Sequence, residues 1–197
     1  MEMSNPSPQP QEAAAEGQTE IRRMNWGCGE HGEPGWINCD IKEIPGIDIS
    51  CDIRDGIPLE DGSLDYIVSI HALPEIPYGD LAGAVAELRR VLKPAGVLRL
   101  GLPDLERGIK AFLENDRDYF LVPDEDATTI GGKLVTQLVW YGWSRSLFTH
   151  DFTEELLRGA GFAEVQACSF GETKSRFPEI VELDSRERES LFIEAIK

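Results

Sequence analysis

Apolar and polar positions alternate along this chain in short blocks, and the period of the blocks switches between that of a strand and that of a helix. Ile21–Trp26 predicts a first strand, Trp36–Ile41 a second and Ile47–Ile53 a third. Leu64–Ile70 is apolar nearly throughout, as in a parallel strand buried on both faces. From Asp80 to Leu92 the period becomes helical, with Leu81, Val85, Leu88, Val91 and Leu92 at helical spacing. Lys93-Pro94-Ala95-Gly96 stops that helix. Val97–Leu102 predicts a fifth strand, followed by a helix over Leu105–Glu114 that Asp104 can cap. Thr128–Tyr141 predicts another helix, with Gly131-Gly132 near its start, and Thr153–Gly159 a further one, capped by Asp151 or Thr153. Ala163–Phe170 and Ser190–Ile196 predict the last two strands. No internal repeat is visible.

Strands alternating with helices argue for an α/β fold with a mostly parallel sheet. The two late strands, joined by a long connection, suit an antiparallel C-terminal edge strand. Between the first two strands, Gly27–Gly35 leaves room for a shortened helix or none. Residues 1–20, rich in Pro, Gln, Ala and Glu, read as a disordered tail. Residues 21–197 then form a single domain.

Charge narrows the partners. The net charge of −17 opposes a phosphate backbone, so neither nucleic acid nor an anionic membrane surface is expected. No apolar run approaches the ~18–20 residues of a membrane span, and no secretory signal is apparent. Cys28, Cys39, Cys51 and Cys168 lack framework spacing, which fits a reduced, cytoplasmic setting. Cys28, His31, Cys39 and Cys51 also lack paired zinc knuckles, so no metal is expected.

The candidate chemistry sits where the strands end. Asn25-Trp26-Gly27-Cys28-Gly29 puts a Gly-x-Gly after the first strand, and Asp40 and Asp52 end the next two. Glycines there let backbone approach a ligand, and the two carboxylates can accept from ribose hydroxyls and an adenine amine. On an open α/β sheet, ligands bind at the carboxyl ends of the strands.

At these residues the chain resembles the class I S-adenosylmethionine-dependent methyltransferases, and closest a compact bacterial branch. The likeness runs from about Arg22 to Lys197. It is carried by Gly27-Cys28-Gly29, Pro34-Gly35-Trp36-Ile37-Asn38-Cys39-Asp40, Asp48-Ile49-Ser50-Cys51-Asp52 and Leu59-Glu60-Asp61-Gly62-Ser63-Leu64-Asp65. It continues through Ile70-His71-Ala72-Leu73, Arg90-Val91-Leu92-Lys93-Pro94-Ala95-Gly96, Leu156-Leu157-Arg158-Gly159-Ala160-Gly161-Phe162 and Ser190-Leu191-Phe192-Ile193-Glu194-Ala195. The resemblance implies a Rossmann-like methyltransferase sheet and S-adenosylmethionine as cofactor. Gly27, Cys28 and Gly29 would face its methionine part, Asp40 and Ile41 its ribose, and Asp52 with the Ile53 backbone its adenine. His71 would lie close to the transferable methyl. Residues 104–149 would form a substrate-side insertion. The chain departs from the pattern at Pro74-Glu75, where relatives often carry Glu-His, and at Ala95, where they carry glycine.

His71 is a candidate general base, and equally a residue that only shapes the pocket. Trp140, Tyr141 and Trp143 form an aromatic cluster that reads as a substrate pocket, a core or a subunit contact, which leaves a homodimer open. Arg145 is the local cation for an anionic substrate, and His150 a cap or a substrate contact. Asp65 reads as turn and strand-start chemistry, and Glu87, Arg89 and Arg90 as the solvated face of a helix. The leading expectation is methyl transfer to an oxygen or nitrogen of a small molecule, a secondary metabolite or sugar-like intermediate. The alternative is a catalytically inactive cofactor-binding or regulatory protein on the same fold. A nicotinamide-dependent oxidoreductase needs a helix directly after the glycines, which Pro34-Gly35 opposes.

Overall fold

The computed structural model describes residues 21–30 and 32–197. The expected tail, residues 1–20, and His31 lie outside the described residues. The strands are β1 Arg23–Trp26, β2 Ile37–Asp40, β3 Ile49–Ser50, β4 Leu64–Ile70, β5 Leu92–Pro103, β6 Glu164–Cys168 and β7 Ser190–Ile196. The helices are α1 Leu81–Val91, α2 Leu105–Leu113, α3 Ile130–Val139 and α4 His150–Gly159. The strands form one seven-stranded sheet in the order β3-β2-β1-β4-β5-β7-β6.

The pairs among β1 to β5 are parallel, and β7 runs antiparallel to both β5 and β6. The antiparallel C-terminal strand is therefore β7, and it lies one place in from the edge, with β6 outside it. Its register runs from Val97 opposite Ile196 to Pro103 opposite Ser190, so the whole of β7 is paired. β2 and β3 are shorter than the expected Trp36–Ile41 and Ile47–Ile53. The chain leaves β2 at Asp40, and Asp52 caps a short 3-10 turn, Ile53–Asp55, in place of continued strand.

α1 and α4 cover one face of the sheet. Ala84, Val85, Leu88 and Val91 of α1 and Leu157 of α4 pack on Met24, Ile67, Leu98, Leu100 and Ile193. Among the described residues no α-helix lies between β1 and β4. The opposite face is closed instead by the long connection from β6 to β7. Phe177 and Ile180 of that connection pack on Trp36, Tyr66, Val68 and Val97. The Tyr66 ring lies 5.4 Å from that of Trp36, edge-on, and 4.9 Å from that of Phe177.

Arg99 fastens this cover. It is fully buried on β5, which is tolerable only for a charge that is paired and hydrogen-bonded. It donates to the carboxylates of Asp184 and Glu194 and to the carbonyl oxygens of Ser169 and Glu172. Asp184 in turn accepts from the Gly171 amide at 2.8 Å. One side chain thus joins β5, β7 and both ends of the connection.

The solvated face expected of α1 is a second fastening. Glu87 accepts from the Ile57 amide at 2.6 Å, while Arg90 donates to the Ile57 and Leu59 carbonyls at 2.9 and 2.8 Å. Arg89 donates to the Gly161 carbonyl at 2.9 Å. The segment before β4 has only the short 3-10 turn, so the Ile57 and Leu59 backbone groups beyond it are satisfied by α1 side chains. Asp65 plays the expected structural part, accepting from the Arg22 amide and from Lys93 at 2.9 and 2.7 Å. The cap of α4 is Thr149, which accepts from the Phe152 amide at 3.3 Å, and the helix starts three residues earlier than expected. Thr153, expected as a cap, is buried inside the first turns, its hydroxyl donating to the Thr149 carbonyl at 2.7 Å.

Candidate active site

After Trp26 the chain turns back over the tip of β2. The Gly27 and Cys28 amides both donate to the Cys39 carbonyl, at 2.7 and 3.2 Å. The Gly29 amide donates to the Asp40 carboxylate at 2.8 Å. All three amides are therefore spent within the protein, and among the described residues no helix follows to present more. A pyrophosphate needs such donors, so the loop does not suit a dinucleotide. It suits a ligand whose nearby group is cationic, because the loop is backed by the Asp40 carboxylate.

The two glycines act differently. A Cβ on Gly27 would lie 2.0 Å from the Cβ of Ala72, so this glycine is needed for β1 and the segment after β4 to touch. Gly29, at φ 63, has open space where its Cβ would be, so the close approach of a ligand falls to Gly29. Asp40 also accepts from the Lys42 amide at 3.1 Å, which uses about half of the ~four acceptor positions of a carboxylate. The rest remain for ribose hydroxyls. Ile41 is 62% exposed beside it, an apolar surface without a partner in the described chain.

Asp52 is more heavily committed. It accepts from the Arg54 amide at 2.9 Å and from the Arg54 guanidinium through both oxygens. That guanidinium holds its carboxyl below the usual carboxylate range. An adenine amine would have to displace the Arg54 fork. The Ile53 side chain is buried in the core, so only its backbone can face an adenine ring.

His71 follows β4 with φ 58, a left-handed conformation costly for a side chain with a Cβ. Its amide donates to the Gly101 carbonyl at 2.8 Å, and its Nε2 lies 2.7 Å from the Ser190 hydroxyl. Burial, reinforced by the Arg186 charge, pushes its pKa down to about 3. The imidazole is neutral at physiological pH, and its protonated form is disfavoured. That limits His71 as a base while leaving it well placed to shape the pocket.

Beyond His71 lies a cavity of about 100 Å³ that opens to solvent at its mouth. Its walls are His71, Pro74 and Glu75 on one side and Pro103, Asp104, Gly108, Tyr119, Phe120, Leu134, Gln137, Leu138, Trp140, Trp143 and Ser144 on the other, with Arg186 and Glu189 from the β6–β7 connection. Of the aromatic cluster noted in the sequence, Trp140 and Trp143 line this cavity. Tyr141, Arg145 and His150 do not line the cavity. Tyr141 turns away to hydrogen-bond Asp126, Arg145 is exposed, and His150 opens α4. The turn at Trp140, Tyr141 and Gly142 has φ 43, 56 and 98, which carries the two tryptophans round the mouth.

Tyr119, Phe120, Glu189 and Ser190 were not singled out from the sequence. Tyr119 and Phe120 follow an Asp116-capped turn in an irregular segment, and Glu189 and Ser190 arrive from the far end of the chain. Glu75 was noticed only as a departure from the family pattern. The thiols contribute no nucleophile. Burial and the Asp40 charge push Cys28 up to about 11, and burial likewise raises Cys39 and Cys51. Among the described residues, no cluster of three or more His, Cys, Asp or Glu could hold a metal.

Residues 35–100 match the family described as methyltransferase domain. A 37.1 kDa transposon protein of Streptomyces fradiae is 38% identical over 63 residues, which is 32% of this chain and only 18% of that protein's length. An S-adenosylmethionine-dependent methyltransferase of Thermotoga maritima, described as a possible histamine N-methyltransferase, superposes with a TM-score of 0.54 at 21% identity. It covers 91% of this chain and 83% of that one. A second such methyltransferase, from Mesorhizobium loti, gives 0.52 at 20% identity, covering 90% of this chain and 91% of its own. Likeness at these identities carries the fold alone. Residues 35–100 are thus similar to a methyltransferase-domain family, and the sheet around them has the fold seen in these S-adenosylmethionine-dependent methyltransferases.

Proposed function

We propose that this chain transfers the methyl group of S-adenosylmethionine to an oxygen or nitrogen of a small molecule. One observation carries the reading: the segment His71–Glu75 touches both halves of the site. Ala72 packs against Gly27 in the cofactor cradle, while His71, Pro74 and Glu75 line the aromatic cavity.

Gly29, Asp40, Ile41 and Asp52 with the Ile53 backbone would hold the cofactor, which supplies an electrophilic methyl on a sulfonium. The acidic surroundings suit its positive charge. Residues 104–149 act as the acceptor side, since Tyr119, Phe120, Trp140 and Trp143 all come from that segment. Their rings exclude water and orient the acceptor, and displacement at a methyl carbon depends chiefly on such alignment. On this reading the acceptor is a secondary metabolite or sugar-like intermediate. The protein is cytoplasmic, and its net charge of −17 makes nucleic acid a poor acceptor. No helix among the described residues is long and apolar enough to cross a membrane.

A second reading, a cofactor-binding protein without turnover, is favoured by one feature: His71 is neutral and already engaged by Ser190. Calorimetric titration with S-adenosylhomocysteine, with NAD as control, tests the cofactor site. Micromolar binding of the first alone supports it, and binding of neither removes it. An acceptor screen for S-adenosylhomocysteine release then separates the enzyme from the binding protein.

A further inference from the structure

We propose that the acceptor carries a cationic amino group, held by Glu75 against the rings of Trp140 and Trp143 and distinct from the oxygen or nitrogen whose lone pair takes the methyl; this rests on the methyl-transfer reading above. Three carboxylates and one guanidinium line the cavity, and most of that charge is already spoken for. Asp104 caps α2, accepting from the Glu106 and Arg107 amides at 3.0 and 3.1 Å, and it also pairs with the Arg107 guanidinium at 3.1 Å. Glu189 pairs with Arg186 at 3.1 Å, which uses the one guanidinium in the wall. The Glu75 carboxylate makes no hydrogen bond or ion pair among the described residues.

The cavity therefore offers one uncommitted anion and no uncommitted cation. Arg145, the cation expected to serve an anionic substrate, lies outside the wall. Partial burial, reinforced by the nearby Asp40 charge, raises the Glu75 pKa and outweighs the opposing Lys42 and Arg145 charges, neither of which forms an ion pair with it among the described residues.

The rings agree with the charge. Trp143 is 63% exposed at the mouth, an area of aromatic surface that a folded chain gains little by presenting to water. A quaternary or protonated nitrogen is drawn to tryptophan faces and to a carboxylate at once. An acceptor carrying a carboxylate or phosphate would meet Glu75 with nothing to balance it. A neutral alcohol could donate one hydrogen bond to Glu75 but would bring no charge to offset it. The position of Glu75 is fixed by the backbone, because the Arg145 and Ser146 amides both donate to the Pro74 carbonyl, at 2.8 and 3.1 Å.

The test uses the whole chain saturated with S-adenosylhomocysteine and three probes of one shape: phenethylamine, 2-phenylethanol and phenylacetate. Binding is followed by calorimetry and by quenching of tryptophan fluorescence. The amine is expected to bind at least ~10-fold tighter than the alcohol, with no detectable binding of the acid. Glu75→Gln should abolish that preference in a protein with an unchanged circular dichroism spectrum. Equal binding of amine and alcohol, tighter binding of the acid, an amine preference that survives Glu75→Gln, or no amine binding up to millimolar concentration would each overturn the proposal. Failure of S-adenosylhomocysteine itself to bind would instead overturn the methyl-transfer reading, so the two failures are distinguishable.

Discussion

Gly27 and Ala72 meet so closely that a Cβ on the first would lie 2.0 Å from the Cβ of the second. The end of β1 and the turn after β4 are thereby locked in one arrangement, which also sets His71 and Glu75. Gly27→Ala should lower stability by more than ~2 kcal/mol, combining the clash with strain at φ 72. Gly29→Ala meets open space and should lose only about 1–2 kcal/mol, from its positive φ. Urea unfolding distinguishes the two, and equal losses would show that contact with Ala72 is not what requires the glycine.

Asp40 and Asp52 should contribute unequally to cofactor binding. Asp40→Asn removes a charged acceptor with free positions and should weaken S-adenosylhomocysteine binding by about 10- to 100-fold, matching roughly 1.5–3 kcal/mol for a charge-assisted hydrogen bond. Asp52 is masked by Arg54, so Arg54→Ala should tighten binding a few-fold by freeing the carboxylate. Calorimetry on both variants checks this, and weaker binding in Arg54→Ala would show that the guanidinium itself holds the ligand.

His71 sets a pH dependence of stability. Its pKa falls from 6.5 to about 3 on folding, so between those values the unfolded chain binds the extra proton. Stability is therefore complete above pH 6.5 and is lost as pH falls toward 3, by at most ~1.4 kcal/mol per pH unit. His71→Gln, which keeps a polar group toward Ser190, should flatten the slope of unfolding free energy between pH 6.5 and 4.5. An unchanged slope would mean that other groups carry it.

Arg99 holds two buried carboxylates that, among the described residues, have no other cation within reach of an ion pair. Arg99→Met should cost about 3–5 kcal/mol, since it leaves Asp184 and Glu194 charged in the interior. Adding Asp184→Asn and Glu194→Gln should recover a large part of that loss. Denaturant midpoints of the single and triple variants test it, and a triple variant no better than the single one would mean that Arg99 acts by packing alone.

Ala95 sits at φ 59, in the left-handed region that favours glycine. Ala95→Gly should raise stability by about 1 kcal/mol or less, because relief of left-handed strain is partly offset by a freer unfolded chain. A drop in melting temperature would contradict this.

The strand pattern was legible because burial on both faces writes itself into Leu64–Ile70, and β7 covers the same residues, Ser190–Ile196, that the pattern marked. Asp104 as a cap was legible because a cap is a local event. Glu87 and Arg90 misled for the converse reason: their partners lie some thirty positions away, and nothing local distinguishes a fastener from a solvated charge. Arg99 carried a signal that went unread, a lone charge inside an apolar strand, which demands buried partners. At the site, the glycines and Asp40 stand out by type and spacing, whereas Tyr119, Phe120 and Glu189 are brought together only by the tertiary fold. Tyr141 and Arg145 looked equivalent to Trp140 and Trp143 in sequence. The left-handed turn at Trp140–Tyr141 is what separates them.

The cover over the second sheet face has a consequence for synthesis. Tyr66, Val97 and Arg99 leave the ribosome long before Phe177, Ile180, Asp184 and Glu194, their partners. Until residues 177–194 emerge, β4 and β5 hold an unsatisfied guanidinium and an open aromatic face, the kind of surface that chaperones engage and aggregation exploits. The nascent chain therefore waits for residues 177–194, and losing β7 alone would take Glu194, one of the two counter-charges of Arg99, while leaving the cover anchored at one end only.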